Sequence, residues 1–398
     1  MNTSAPGTRT FDGRVVAIDL LRGFIMILMA LDHTRDFFSS ADFNPLDLHK
    51  THAALFLTRW ITHFCAPLFI FLSGVSTFLS LTRGGDLAAQ SRLLMLRGAL
   101  LILLELTVIH WFGWTFSIEM REIWVGVLWA IGWSMLCLSL LIRLRREVAA
   151  TVGILMILGH NLFDGVRPEQ WGEWGWLWQV LHAGGGFDFG EGRRFIASYP
   201  LIPWIGVMAA GYAFGPVFLA EAAVRRRSLL RWGMLLTCAF VLLRLGNLYG
   251  DATTWSAQSS DLFTLFSFIH CTKYPPSLHY LLMTLGPGLL LIALLDRPLP
   301  AWLRWVNVFG QVPLFFYLLH LPLIHGLAVL TDYGRYGAVD WQFGWPFAPE
   351  ELAKPEDHGF GLLIVYLMTA FVVLLLYPLC RWFAGLKRTS RKLWVRLL

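Results

Sequence analysis

The chain has 398 residues, 56% hydrophobic and only 15% charged, with a mean hydropathy of +0.58. Soluble domains carry about 45–50% apolar and about 25% charged residues, so the composition excludes a soluble globular protein. The net charge of +6 does not signal nucleic acid, because the basic residues sit in short loops between apolar runs; the partner this implies is a lipid bilayer.

A spanning helix needs about 20 mostly apolar residues. By that measure the sequence predicts an all-α, polytopic transmembrane bundle of about ten spans: 15–35, 53–82, 92–114, 121–143, 147–164, 199–221, 228–247, 276–295, 308–330 and 359–384. A polar N-terminus (1–14), a catalytic-type pair of first spans (15–82), the remaining bundle (92–384) and a basic tail (385–398) make up a single integral membrane domain. Basic residues such as Arg143, Arg145 and Arg146, or Arg225, Arg226 and Arg227, alternate with long cation-poor loops. The positive-inside rule therefore places both termini in the cytoplasm. Gly184, Gly185 and Gly186 read as a flexible outer loop. Gly206, Gly211 and Gly215 in the sixth span read as close helix packing.

Charged groups at mid-bilayer cost several kcal/mol and mark bundle interiors or pathways. The first span carries Asp19, Arg22 and His33. Arg22 and His33 are eleven residues apart, so they share a helix face about 16 Å apart along the axis; Asp19 lies within pairing reach of Arg22. His52, Arg59 and His63 have helical spacing in the second span, and with His33, Asp32 and Asp36 they are expected to converge on one mouth. Glu105 in the third span needs a cation or a proton, with Arg22 or Arg59 as partner. His160, Asn161, Lys273, Tyr274, Tyr317 and His320 are candidate substrate-binding groups at or near the same side. The five cysteines form no CxxC pair, so neither a disulfide framework nor a bound metal is expected.

Histidine is suited to proton transfer near neutral pH, and arginine to holding phosphate or a developing oxyanion. Acyl transfer fits this set. So does proton-coupled transport of a sugar, a lipid-linked or another small polar solute.

Asp19-Leu-Leu-Arg22-Gly23 followed by His33 resembles the Arg-X10-His signature of acyltransferase family 3. Arg59-Trp-Ile-Thr-His-Phe-Cys-Ala-Pro67, Phe69-Ile-Phe-Leu-Ser-Gly74, Tyr199-Pro-Leu-Ile-Pro-Trp-Ile-Gly206, Cys271-Thr-Lys-Tyr-Pro-Pro-Ser277 and Gly310-Gln-Val-Pro-Leu-Phe-Phe-Tyr317 resemble the bacterial branch of the heparan-α-glucosaminide N-acetyltransferase-like proteins more closely. The resemblance implies an enzyme of the bacterial inner membrane that takes an acetyl group from cytosolic acetyl-CoA, or another acyl group from its acyl-CoA, as co-substrate. It passes that group to the oxygen or nitrogen of a sugar or glycan-like acceptor on the far side, with a homodimer left open. Either His33, by the first pattern, or His52, by the second, is the catalytic base.

Overall fold

The computed structural model describes residues 16–84, 86–298, 300–344, 354–390 and 392–398. The polar N-terminus 1–14 lies outside the described residues. Helix α1 (Val16–Phe38) is the element around which the others gather. It packs against α2 (Ala53–Leu81), α10 (Leu278–Leu295), α11 (Val306–Gln311), α12 (Pro313–Tyr336) and α13 (Leu362–Thr389). Between α2 and α10 run α3 (Leu87–Trp114), α4 (Val127–Leu141), α5 (Arg146–Phe163), α6 (Pro168–Ala183), α7 (Leu201–Leu219), α8 (Ala222–Leu245) and α9 (Asp261–Ile269). A short α14 (Leu393–Leu397) closes the chain.

A helix stands at each of the ten positions where a span is expected. Among the described residues, seven helices are long and apolar enough to cross a membrane: α2, α3, α7, α8, α10, α12 and α13. The count reaches eight if α5 and α6, bent by 110° to each other, form one span. Helix α1 is long enough, at 23 residues, but carries Asp19, Arg22, Asp32, Arg35 and Asp36. Helix α4 has only 15 residues.

The segment 121–143 begins as strand, not helix. Strand β1 (Glu122–Val125) pairs in parallel with β3 (Arg194–Ala197), and β2 (Gly185–Asp188) pairs antiparallel with β3. Gly185 and Gly186, expected in a flexible loop, are therefore held in a three-stranded sheet. Gly184 precedes it with φ +71°, a conformation that a side chain would strain. The last ten residues of α3, Glu105–Trp114, wind as a π-helix. Such widened turns cluster at functional sites.

Small residues let α2 and α7 touch backbone to backbone, as expected for Gly211. A Cβ on Gly211 would meet the Phe71 carbonyl oxygen at 2.1 Å, and one on Gly74 would meet that of Met208 at 2.1 Å. Neither obstacle is a side chain that could rotate away. Gly211→Val is expected to cost about 3 kcal/mol or more, the upper range for overpacking, seen as a lower melting temperature in detergent. Gly334→Ala, where a Cβ meets open space, should melt like the parent; equal melting of both variants would contradict this close approach.

Candidate functional site

A cavity of about 1720 Å³ runs beside α1. Its lining on that helix extends from Ile18 to Asp36, about 27 Å of helix rise, close to the hydrocarbon thickness of about 30 Å. Arg83, Arg97 and Lys387 belong to the same wall as Asp19 and Arg22, near the N-terminal end of α1. At the other end lie Asp42, Asn44, Lys354 and Glu356. The strands supply Trp124, Val125, Gly185, Ile196 and Ala197 as part of the wall.

Four charges interlock in the half of the cavity beside the end of α1. Asp32 accepts from Arg59 at 2.6 Å and from Arg35 at 2.9 Å, and Arg35 also reaches Asp36 at 2.5 Å. Nδ1 of His33 lies 3.4 Å from Asp36 Oδ2. The imidazole is wedged against the edge of Trp114, at 5.0 Å between ring centroids, and against His320, at 5.3 Å. The helical repeat explains why Asp32, Arg35 and Asp36 meet, since residues three and four apart face one another. Arg59 joins them from α2. In the sequence, only its position three residues after Asp32 marks Arg35 as part of this group.

Arg22 bridges α1 to α2, donating to the Leu72 carbonyl at 2.8 Å and to Ser76 Oγ at 2.7 Å. Asp19 lies 4.0 Å from it. Both line the cavity, as do Asp32, His33, Asp36, Arg59, Glu105, Lys273, Tyr274 and Tyr317. Glu105 does not pair with Arg22 or Arg59 as expected. Its carboxylate accepts from the backbone N–H groups of Gly126, at 2.8 Å, and Leu128, at 3.2 Å. These are orphan donors at the start of α4, where a helix end favours an anion. The chain reversal through β1 supplies this partner, and no local spacing announces it.

His52 and His63 do not join the group. His52 is the residue capping α2, in extended conformation and exposed, and it is not part of the cavity wall. Its side chain therefore does not follow the helical face that carries Arg59. A 3₁₀ turn, Thr62–Phe64, then breaks the α-helical phase, and His63 sits behind the wall, still within electrostatic reach of Lys273, Arg59 and Asp32. His63 is buried with its ring 5.5 Å from that of Tyr280, outside the wall. His320 is fully buried behind His33 and is also off the wall. Its Nδ1 donates to the Tyr317 carbonyl at 2.7 Å, which fixes the tautomer. His160 and Asn161 face α6 and α10 instead of the cavity: Asn161 Oδ1 accepts from the Leu278 N–H at 3.0 Å.

Lys273 and Tyr274 reach the cavity on a loop anchored by a buried ion pair. Arg244 is 1% exposed and lies 3.8 Å from Asp251. It donates to the carbonyls of Thr253, Ser267, Phe268 and His270. Asp251 in turn accepts from Thr272 N, Thr272 Oγ1 and Ser277 Oγ. Lys273 Nζ lies 5.0 Å from the Tyr274 ring centroid, and the Tyr274 hydroxyl donates to that of Tyr199 at 3.5 Å. Burial pushes the Tyr274 phenol up, but Lys273 and Arg59 outweigh it and hold the group below its ordinary value. Tyr199, another wall residue, went unnoticed as a site residue because Tyr before a proline reads as a loop-to-helix junction.

The family model described as "Heparan-alpha-glucosaminide N-acetyltransferase, catalytic" matches residues 14–249, more than half of the chain. The chain belongs to this family. Membership implies a membrane-embedded acetyltransferase. No curated protein matches the chain. The matched stretch holds α1 to α8, and so His33, Arg35, Arg59 and Glu105. Lys273, Tyr274, Tyr317 and His320 lie beyond it and are joined to the family's segment by the fold.

Removing one partner of a buried ion pair costs about 3–5 kcal/mol. Arg244→Ala also strands four carbonyls, so it is expected to lose at least that much. The readouts are a lower melting temperature and faster hydrogen exchange at residues 251–272. Unchanged exchange there would show that Arg244 does not anchor the loop.

Proposed function

We propose that the protein transfers an acetyl group from acetyl-CoA, presented at the basic end of the cavity, to an amino sugar or similar glycan acceptor at the opposite end. The observation that carries this reading is the cavity's course: it joins the Arg83, Arg97 and Lys387 end to the His33 cluster along nearly the whole of α1. Basic residues suit the phosphates of CoA. On the positive-inside rule that end faces the cytoplasm, in a bacterial inner membrane if the chain follows the branch it resembles. The extended pantetheine arm then runs past Arg22 toward His33.

In this reading His33 is the general base. Asp36 beside Nδ1 favours a proton there, which leaves Nε2 to take one from the acceptor amine or hydroxyl. The freed lone pair attacks the thioester carbonyl, the carbon–sulfur bond breaks, and CoA leaves as the thiolate, which the proton on His33 then neutralises. Arg59 and Lys273 supply positive charge to the oxyanion, and Tyr274, with its phenol proton made more available, is the hydrogen-bond donor to it. Asp32 holds Arg59 in place. His52, exposed and off the cavity wall, takes no part in the proton transfer.

Purified protein in lipid nanodiscs, given labelled acetyl-CoA and glucosamine-type acceptors, should form labelled acceptor. General-base catalysis is worth about 10²–10⁴-fold, so His33→Ala should lose at least 100-fold in kcat while still binding CoA. His52→Ala should stay within a few-fold of the parent. The reverse result, His52→Ala dead and His33→Ala active, would overturn the assignment. Failure of the parent protein to bind CoA would overturn the reaction class.

A further inference from the structure

Away from the cavity, the bend between α5 and α6 assembles a second cluster. His160 and Asp164 lie four residues apart at the end of α5 and just beyond it, and His182 lies near the end of α6. One ligand atom from each falls within 4.8 Å of the others. The 110° turn between the two helices is what brings His182 back over His160, with ring centroids 5.8 Å apart.

Ordinary packing leaves this cluster unsatisfied. His160 is 2% exposed, and neither ring nitrogen has a hydrogen-bond partner. A buried polar atom left unpaired costs about 1–3 kcal/mol. His182 is equally buried; its Nε2 donates to the His160 carbonyl at 2.7 Å and lies 3.6 Å from Asp164 Oδ1. Asn161 donates to the other carboxylate oxygen, Oδ2, at 2.9 Å. That bond turns Oδ1 toward His182, the kind of outer hydrogen bond that orients a metal-binding carboxylate.

We propose that His160, Asp164 and His182 form a binding site for a divalent transition metal of the zinc class. Two imidazoles and one carboxylate match its nitrogen and oxygen preference and disfavour calcium or magnesium, which take oxygen ligands. Tetrahedral zinc holds its ligand atoms about 3.3 Å apart, so binding draws these three together by up to about 1.5 Å through side-chain rotation. A metal between His182 Nε2 and Asp164 Oδ1 binds the Nε2 lone pair once the imidazole proton has moved to Nδ1, replaces the bond from Nε2 to the His160 carbonyl, and takes up one of the unpaired nitrogens of His160. The partly exposed Asp164 leaves room for water as fourth ligand. No metal is expected from the sequence, since the three ligands are 4 and 18 residues apart around a bend that is not visible there.

The site would act at a distance on the cavity wall. Asn161 links Asp164 to the first N–H of α10, at Leu278, four residues after Tyr274. A bound metal would clamp the α5–α6 bend and, through Asn161, steady the start of α10.

The test uses the full chain, purified without a histidine tag and stripped with a chelator. Titration with Co²⁺ or Zn²⁺ alone is expected to give one metal per chain, a visible tetrahedral d–d band for cobalt, and a raised melting temperature. Asp164→Asn and His182→Ala should each weaken binding at least 10-fold and remove the melting shift. Asp164→Asn keeps the side chain's shape and should fold even if His182→Ala does not. Absence of equimolar binding by the parent protein at micromolar Zn²⁺, or unchanged binding by the Asp164→Asn protein, would overturn the proposal.

Discussion

Asp32 is the constraint on which the rest depends. It sits in a helix long enough to cross a bilayer and binds two arginines, Arg59 from α2 and Arg35 from its own helix. A lone carboxylate or guanidinium there would cost several kcal/mol. Together, Asp32 and Asp36 balance Arg35 and Arg59, two negative charges against two positive. Asp36, shared between Arg35 and His33, ties the imidazole to this frame. The cluster must be shielded from lipid, and five helices around α1 supply the shield.

The site is held by rigid elements on several sides. The π-wound end of α3 brings Trp114 against His33. The β-sheet closes part of the wall and delivers the Gly126 and Leu128 amides to Glu105. The Arg244–Asp251 pair fixes the loop that carries Lys273 and Tyr274. Each support is a backbone held by buried hydrogen bonds, which suits a site whose reacting groups must be aligned to within a fraction of an ångström.

Much of this was legible in the sequence, for a physical reason. A 3.6-residue repeat places Asp19, Arg22 and His33 on one stripe, and apolar runs announce the bundle. The failures have physical reasons too. Helical spacing sets His52 and His63 on the face of Arg59, but a non-helical first residue and a 3₁₀ turn interrupt the repeat and leave both off the cavity wall. Four-residue strands carry too few alternations to show against an apolar background. Glu105 found its partner in backbone groups 21 and 23 residues away, brought there by a strand and a turn that charge pairing does not reveal.

The long cavity, with charged side chains along its wall, has an electrical consequence. In an energised membrane, voltage drops where the path lacks water and mobile ions. Water filling a passage that borders α1 from Ile18 to Asp36 would thin that insulating layer. One elementary charge moved through the full drop is worth about 2.3 kcal/mol per 100 mV. Under the proposed reaction, a donor anion entering from a negatively charged cytoplasm would be driven outward along that axis, and a proton carried inward would be driven the other way. Transmembrane potential would then be a variable in the turnover of the proposed reaction, alongside the concentrations of its substrates.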